Sequence, residues 1–343
     1  MSGRLKLRRG VVVAEEPLTV DVDGERRAAW ADTALLGEMH KGDEVVVNVE
    51  ALDLGLGSGG FDVVHVNLTR GLESDGAPGD EHVMKLNYSS LQHAVEPVEG
   101  RSAFRSHTDQ KTLRPSVLVL PLHGHLAPAA WAAAQVAPDA KVGYVQTAGG
   151  ALPGSLSRDV AELRERGLLC GHVTAAPTYG GEHEAISVTG ALDAAAQDLG
   201  WDAVIVSPGP GIIGSDTRLG HGGLAALDTA HASLALGLPT LLSPRLSSAD
   251  PRERHRPVSH HTLTVMRMLL AAVQVPVPAS EPVPIAILAT AAGWRHRLLE
   301  EAVDLDGYAA SGLPARTMGR GLKEDPLFFA AALAAGAALR RKV

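Results

Sequence analysis

The sequence predicts an α/β protein: an N-terminal small antiparallel β-barrel, a doubly wound parallel-sheet α/β domain and a C-terminal helical tail. Three observations predict it. Up to residue 98, short apolar runs alternate with turn residues and show no helical period, as in a small barrel. From residue 116 the pattern changes to buried strand, Ala-rich helix, buried strand, and repeats, which implies a parallel sheet covered on both faces. One of those strands, residues 203–206, runs into a long loop of glycine and small polar residues and reaches a helix only near Gly222. Open α/β sheets bind ligands at that edge, and a mere connector would be shorter.

The elements follow in order. Gly10-Val11-Val12-Val13 and Leu18-Thr19-Val20-Asp21-Val22 are strands, and Asp23-Gly24 is the two-residue hairpin signal before a return strand over 26–30. Gly42-Asp43 introduces a strand over 44–49, and a glycine-rich link at 55–60 leads into another over 61–68. After the loop 70–80, strands are expected over 82–88 and 91–98, so the barrel (1–98) can take its last strand from here. Residues 99–115 are polar and read as a linker. In the α/β domain, 116–275, strands are expected at 117–120, 142–146, 172–175, 203–206 and 240–242. Helices are expected at 128–136, 157–166, 185–199 and 224–236, and another after Ser259. The repeated Pro-Val of 276–284 reads as a stiff linker. In the tail, 285–343, residues 285–288 read as a strand, and Asp325-Pro326 as the N-cap and first position of a closing helix over 327–340. That tail is expected to pack on the α/β domain or on a partner subunit.

Composition narrows the function classes. A chain of 343 residues is long enough for two or three domains, and with only 3% aromatic residues its core must be built from Ala, Val and Leu. The net charge of −8 argues against nucleic acid as a partner, since phosphate contacts call for a basic domain. The single cysteine, Cys170, excludes an internal disulfide and fits a reducing cytoplasm; after Leu168-Leu169 it reads as a buried strand residue. No apolar stretch approaches a membrane span, and the N-terminus lacks a secretion signal, so a cytoplasmic protein with no membrane partner is expected.

The candidate site has two walls. In the first, Gly209, Gly211 and Gly214 fit the G-x-G-x-x-G spacing after a strand, but the helix is delayed and Pro210 removes a donor, so loop amides suit a small anion better than a dinucleotide. Ser215, Thr217 and Arg218 are further ligand candidates, and Asp216 with His221 is the first choice of orienter and general base. In the second wall, Ser259 caps a helix whose first turn holds His260 and His261, where free amides meet an anion and neutral imidazoles move protons. Arg252 and Arg254 precede it, with forks suited to carboxylate or phosphate. His123 and His125 directly follow a strand; two apart in extended chain, they face the same way and are the metal candidates.

The segments LGLGSGGFDVVHVNL, HVMKLNYSSLQ, GGALP, SPGPGIIGSDTRLGHGG, SADPRERHRPVSHHTLTV and TMGRGLKEDPLFF together resemble a bacterial family known only as a domain of unknown function, DUF3866. The ADPR-x-RH-R-x-VSHH run is the most specific part. The resemblance covers nearly the whole chain and implies a cytoplasmic bacterial protein, but it carries no activity. Barrel followed by α/β domain is also similar in order to the proprotein component of glycine and betaine reductases; their pyruvoyl-forming cysteine site has no counterpart around Cys170.

The expected function is a hydrolase or transferase acting on a small anionic molecule, phosphorylated or nucleotide-like. A non-enzymatic metabolite-sensing module whose barrel binds a macromolecular partner is the alternative, and an NAD(P)-dependent oxidoreductase the third. The sequence names no cofactor and leaves a homo-oligomer open.

Overall fold

The computed structural model describes residues 4–56, 59–72, 79, 81–100 and 114–340. It forms two compact units, Met1–Asp80 and Glu81–Val343.

The first unit is the barrel. Strands β1 (Leu7–Glu15), β2 (Leu18–Val22), β3 (Glu25–Trp30), β4 (Glu44–Asn48) and β5 (Asp62–Asn67) close in the order β1-β2-β3-β5-β4. All pairs are antiparallel except β3 with β5. The β2–β3 turn falls on Asp23 and Gly24, both at positive φ (55° and 87°), the backbone a two-residue hairpin needs. Short helices α1 (Thr33–Leu36) and α2 (Glu50–Asp53) bridge the strands, and the inward valines Val12, Val20, Val45, Val47 and Val64 fill the interior.

The second unit begins with a hairpin, β6 (Val83–Lys85) with β7 (His93–Val95). These strands pair with each other, so the expectation that the barrel takes a strand from this stretch is not met. Buried Lys85 donates instead to the carbonyls of Thr174 (2.7 Å) and Thr178 (2.6 Å) and to Glu184. The expected linker 99–115 lies mostly outside the described residues.

An eight-stranded, wholly parallel sheet follows, in the order β11-β10-β9-β12-β8-β13-β14-β15. Its strands are β8 (Ser116–Val119), β9 (Val142–Thr147), β10 (His172–Ala175), β11 (His183–Ala185), β12 (Ala203–Pro208), β13 (Thr240–Leu242), β14 (Gln274–Pro278) and β15 (Arg297–Glu301). The central strands are buried from end to end, as their unbroken apolar runs require. Successive residues face opposite layers: Val204 and Val206 join one core, Ala203 and Ile205 the other. The first core packs α5 (Val188–Gln197), α6 (Ala225–Ala235), α7 (His260–Met268) and α8 (Pro282–Ala292). The second packs α3 (Leu126–Val136), α4 (Arg158–Glu165), α9 (Leu305–Ala310) and most of α10 (Pro326–Ala337). Among the described residues no helix is long and apolar enough to cross a membrane.

Five local expectations are corrected. Residues 276–284 are not a linker: Val275 and Val277 are buried in β14, and Pro282 opens α8, which also absorbs the strand expected at 285–288. Prolines are tolerated there because β14 pairs with β13 only at Gln274, so Pro276 and Pro278 lie beyond that ladder. The start of the helix expected over 185–199 is taken by β11, an edge strand too short to show a period. Cys170 is exposed, because it precedes β10 and Leu169 turns inward in its place. Asp325 stands at the N-cap of α10, but its side chain does not cap: it accepts from Ser247 Oγ (2.6 Å), the Ser248 amide (2.8 Å) and Arg320 Nε (3.1 Å).

Candidate functional site

Sheet topology decides where a cleft opens. Neighbours β8 and β12 leave the sheet in opposite directions, β8 through α3 toward β9 and β12 through α6 toward β13. Their diverging connections leave a crevice at the carboxyl ends. A cavity of about 420 Å³ occupies it. It is lined by Leu122, His123 and Gly124 after β8, by the loop 210–215 after β12, and by Arg245, Arg252, Arg254, His255 and His261 after β13. Asp159 from α4 and Arg316, Thr317 and Met318 from a small hairpin complete the wall.

Histidines gather at one side of this cleft. Ser259 caps α7: its Oγ accepts from the His261 amide (3.2 Å) and meets His255 Nδ1 at 2.7 Å, which fixes the first turn of the helix against the preceding loop. His221 arrives from the other wall in extended backbone, just before the turn Gly222–Leu224, with Nε2 at 3.1 Å from the Arg218 carbonyl. Its ring stacks on His261, centroids 3.6 Å apart and planes 9° apart, while His260 stands edge-on to His261 at 4.4 Å. One ring nitrogen from each of His221, His260 and His261 falls within 4.8 Å of the others. A Cβ on Gly223 would sit 3.1 Å from His221 Nδ1 and 3.3 Å from His261 Nδ1, so a glycine here keeps that space free. Burial holds all four imidazoles below the usual histidine range. Next after burial come the neighbouring His221 and Arg245 for His261 (about 2), Arg245 and Arg252 for His255 (about 3), and His221 and Arg254 for His260. For His221 burial outweighs the opposing bond to the Arg218 carbonyl. The cluster is therefore neutral at neutral pH, with nitrogen lone pairs available.

The arginines are organised by one buried acid. Asp250, wholly buried, accepts from Arg252 Nε (2.9 Å) and Nη2 (2.9 Å) and from Arg245 Nη2 (3.1 Å), with Arg320 at 3.6 Å. Burial alone would raise its carboxyl, but the Arg252 hydrogen bonds and the guanidinium charges hold it well below the ordinary carboxylate range. Arg245 is itself buried, and desolvation draws its guanidinium down to about 10 despite Asp250. Among the described residues its Nε has no hydrogen-bond partner, and its Nη1 reaches His261 Nδ1 at 3.5 Å. Asp159 faces the opposite influence: burial, reinforced by the charge of Glu162, pushes its carboxyl up.

The structure unites part of the expected set. Gly211, Gly214, Ser215, Arg252, Arg254, His261 and His123 line the cleft, and His221 meets His260 and His261 across it. Gly209 is buried where a Cβ would lie 2.3 Å from the Ala151 carbonyl, so packing requires that glycine. The loop does not run toward a helix as a dinucleotide turn does; Gly214 and His221 bridge antiparallel and Ser215 N bonds the Gly220 carbonyl (2.6 Å). Ser215 and Thr217 spend their hydroxyls on each other (2.8 Å), and Arg218 is exposed. Asp216, at the tip, is also exposed and binds Arg254 (2.6 Å), so the Arg218 carbonyl orients His221 in its place.

His123 and His125 do not face the same way. They lie in a 3-10 turn, where residues two apart point about 120° away from each other, and bind different serines: His123 Nε2 to Ser157 Oγ (2.7 Å), His125 Nδ1 to Ser243 Oγ (3.1 Å). Sequence reasoning placed Arg245 and Asp250 inside the second wall, residues 245–261, without giving either a role, and missed Asp159 and the Arg316–Arg320 segment. The available signal was the specificity of the ADPR and TMGRG runs, which no local period explains.

A model of the family described as a protein of unknown function, DUF3866, matches residues 28–336. No curated protein and no solved structure matches the chain.

Proposed function

This chain belongs to the DUF3866 family, whose description assigns no activity, and we propose from the cleft itself that the protein acts on a small anionic molecule, phosphorylated or nucleotide-like, as a hydrolase or transferase. The observation that carries the reading is Arg245. A guanidinium with 4% exposure is costly to bury, and Asp250 meets only its Nη2; among the described residues its Nε has no partner, and Arg245 lines a cleft also lined by Arg252, Arg254 and Arg316. An anion entering that cleft would be met by fixed donors suited to phosphate or carboxylate oxygens. Asp159, with its raised carboxyl, lines the same space and is suited to deliver a proton to a leaving group. The cavity volume also fits a small molecule rather than a polymer.

The test is calorimetric titration of the full chain with inorganic phosphate, phosphorylated metabolites and nucleotides, repeated on Arg254→Ala. Arg254 is partly exposed and its guanidinium pairs with the exposed loop-tip Asp216, so its removal should leave melting nearly unchanged. A lost charge-assisted hydrogen bond of about 1.5–3 kcal/mol corresponds to affinity weakened by roughly 10-fold to 100-fold. Binding that is absent from the wild type, or equal in the variant, sinks the reading. Turnover of the bound compound separates an enzyme from a sensor.

A further inference from the structure

Three histidines meet at the edge of this cleft with one nitrogen of each converging; His221 Nε2 meets the Arg218 carbonyl at 3.1 Å and His261 Nδ1 meets Arg245 Nη1 at 3.5 Å. His221 comes from the loop after β12 and is 7% exposed; His260 and His261 come from the first turn of α7, and His261 is likewise 7% exposed. One nitrogen of each lies within 4.8 Å of the other two. Among the described residues, His221 Nδ1 and His260 Nε2 are buried without a hydrogen-bond partner. Leaving such groups unpaired costs about 1–3 kcal/mol each, and a protein that only needed to fill this space could do so with apolar side chains. The space left by the absent Gly223 side chain lies against both His221 Nδ1 and His261 Nδ1.

We propose that His221, His260 and His261 form a binding site for a divalent first-row transition metal, zinc being the reference ion. Three imidazoles and no carboxylate among the ligating set suit zinc, cobalt or nickel and disfavour magnesium and calcium, which take oxygen ligands. Metal–nitrogen bonds of about 2.0–2.1 Å require the His221 and His261 rings, now parallel, to turn toward a common centre; Gly223 leaves the room for that turn. The groups that orient these ligands are already in place: the Arg218 carbonyl stands at His221 Nε2, fixing which nitrogen remains free, and the Ser259 cap holds the helix turn that carries the other two ligands. Three protein ligands leave a fourth position for water or an oxygen of a bound anion, and His261 lines the cleft on that side. This last role rests on the function proposed above; the metal site itself does not.

The test uses the full chain stripped with chelator and titrated with zinc alone, with cobalt as a spectroscopic substitute and magnesium as the control. One zinc per chain, no response to magnesium, and the visible bands of tetrahedral cobalt are expected. His221→Ala and His260→Ala should each weaken zinc by more than the roughly 10-fold to 100-fold lost with an outer-shell partner, with metal-free circular dichroism unchanged. X-ray absorption of the zinc-loaded wild type supplies a readout that needs no variant, and three imidazole ligands are expected. A wild type that does not bind zinc, binding undiminished in both variants, or a coordination shell with fewer than two imidazoles overturns the proposal. Phosphate titrated into metal-free and zinc-loaded protein separates the two readings: one zinc per chain without any anion binding supports this site and removes the function proposed above.

Discussion

His172 is 5% exposed, its ring stacked on Tyr144 at 5.1 Å and its Nε2 buried with no partner among the described residues. Burial first, then the nearby His123 and Arg164, lowers its pKa to about 3, and burial likewise lowers His123 to about 4 and His125 to about 3. In the unfolded chain each would titrate near 6.5. Below that pH the unfolded state takes up protons that the folded state refuses. Stability is therefore full above about 6.5 and falls as the pH drops toward 4, by about 1.4 kcal/mol per pH unit for each such histidine. Urea unfolding from pH 7 to 4.5 should show this slope, and His172→Phe, which keeps an aromatic ring beside Tyr144, should reduce it by about one proton. An unchanged slope in that variant would mean that His172 titrates normally in the folded protein.

Among the elements, α10 best shows how residue size sets packing. Every residue from Leu327 to Ala337 is buried, a helix apolar on all sides because the sheet, α3 and α9 surround it. Its contact with α3 is close enough that a Cβ on Gly336 would lie 2.1 Å from the Ala129 carbonyl. In an exposed helix, Gly to Ala would gain about 1 kcal/mol. Here the neighbour is backbone and cannot swing aside, so the steric cost wins and Gly336→Ala should destabilise by about 1–3 kcal/mol. A raised denaturation midpoint would show that the two helices can separate freely. Trp201 and β9 repeat the pattern: a Cβ on Gly143 would fall 1.9 Å from the indole.

At the scale of the whole molecule, the two units have separate cores. The barrel cluster runs from Val12 to Val64, and both clusters of the sheet unit begin beyond residue 80, at Val98 and Leu118. The cleft residues, from Leu122 to Met318, also belong to the sheet unit. A fragment of residues 81–343 should therefore melt cooperatively and match the full chain in titrations with zinc and with phosphate. Aggregation, or a broad transition without cooperativity, would make the barrel part of that unit's stability.

Local chemistry carried much of the outcome. Hairpin glycine at residue 24, the buried runs of β8 and β12, and the alternation of strand with helix specify barrel and doubly wound sheet, because turn backbone and side-chain period act over a few residues. The same locality misread Pro276 and Pro278, whose tolerance depends on where a neighbouring strand stops. Site residues were legible one by one and not as partners. Asp216 was matched to His221 by closeness in sequence, yet the hairpin closure turned it toward Arg254, while His260 and His261 came from some forty residues away to meet His221. Thus the sequence by itself determined the fold class, the family and the loops that form the cleft. Only the tertiary structure decided which histidines converge and that Asp250 gathers Arg245 and Arg252, because strand order, a long-range property, sets which loops face one another at the switch point.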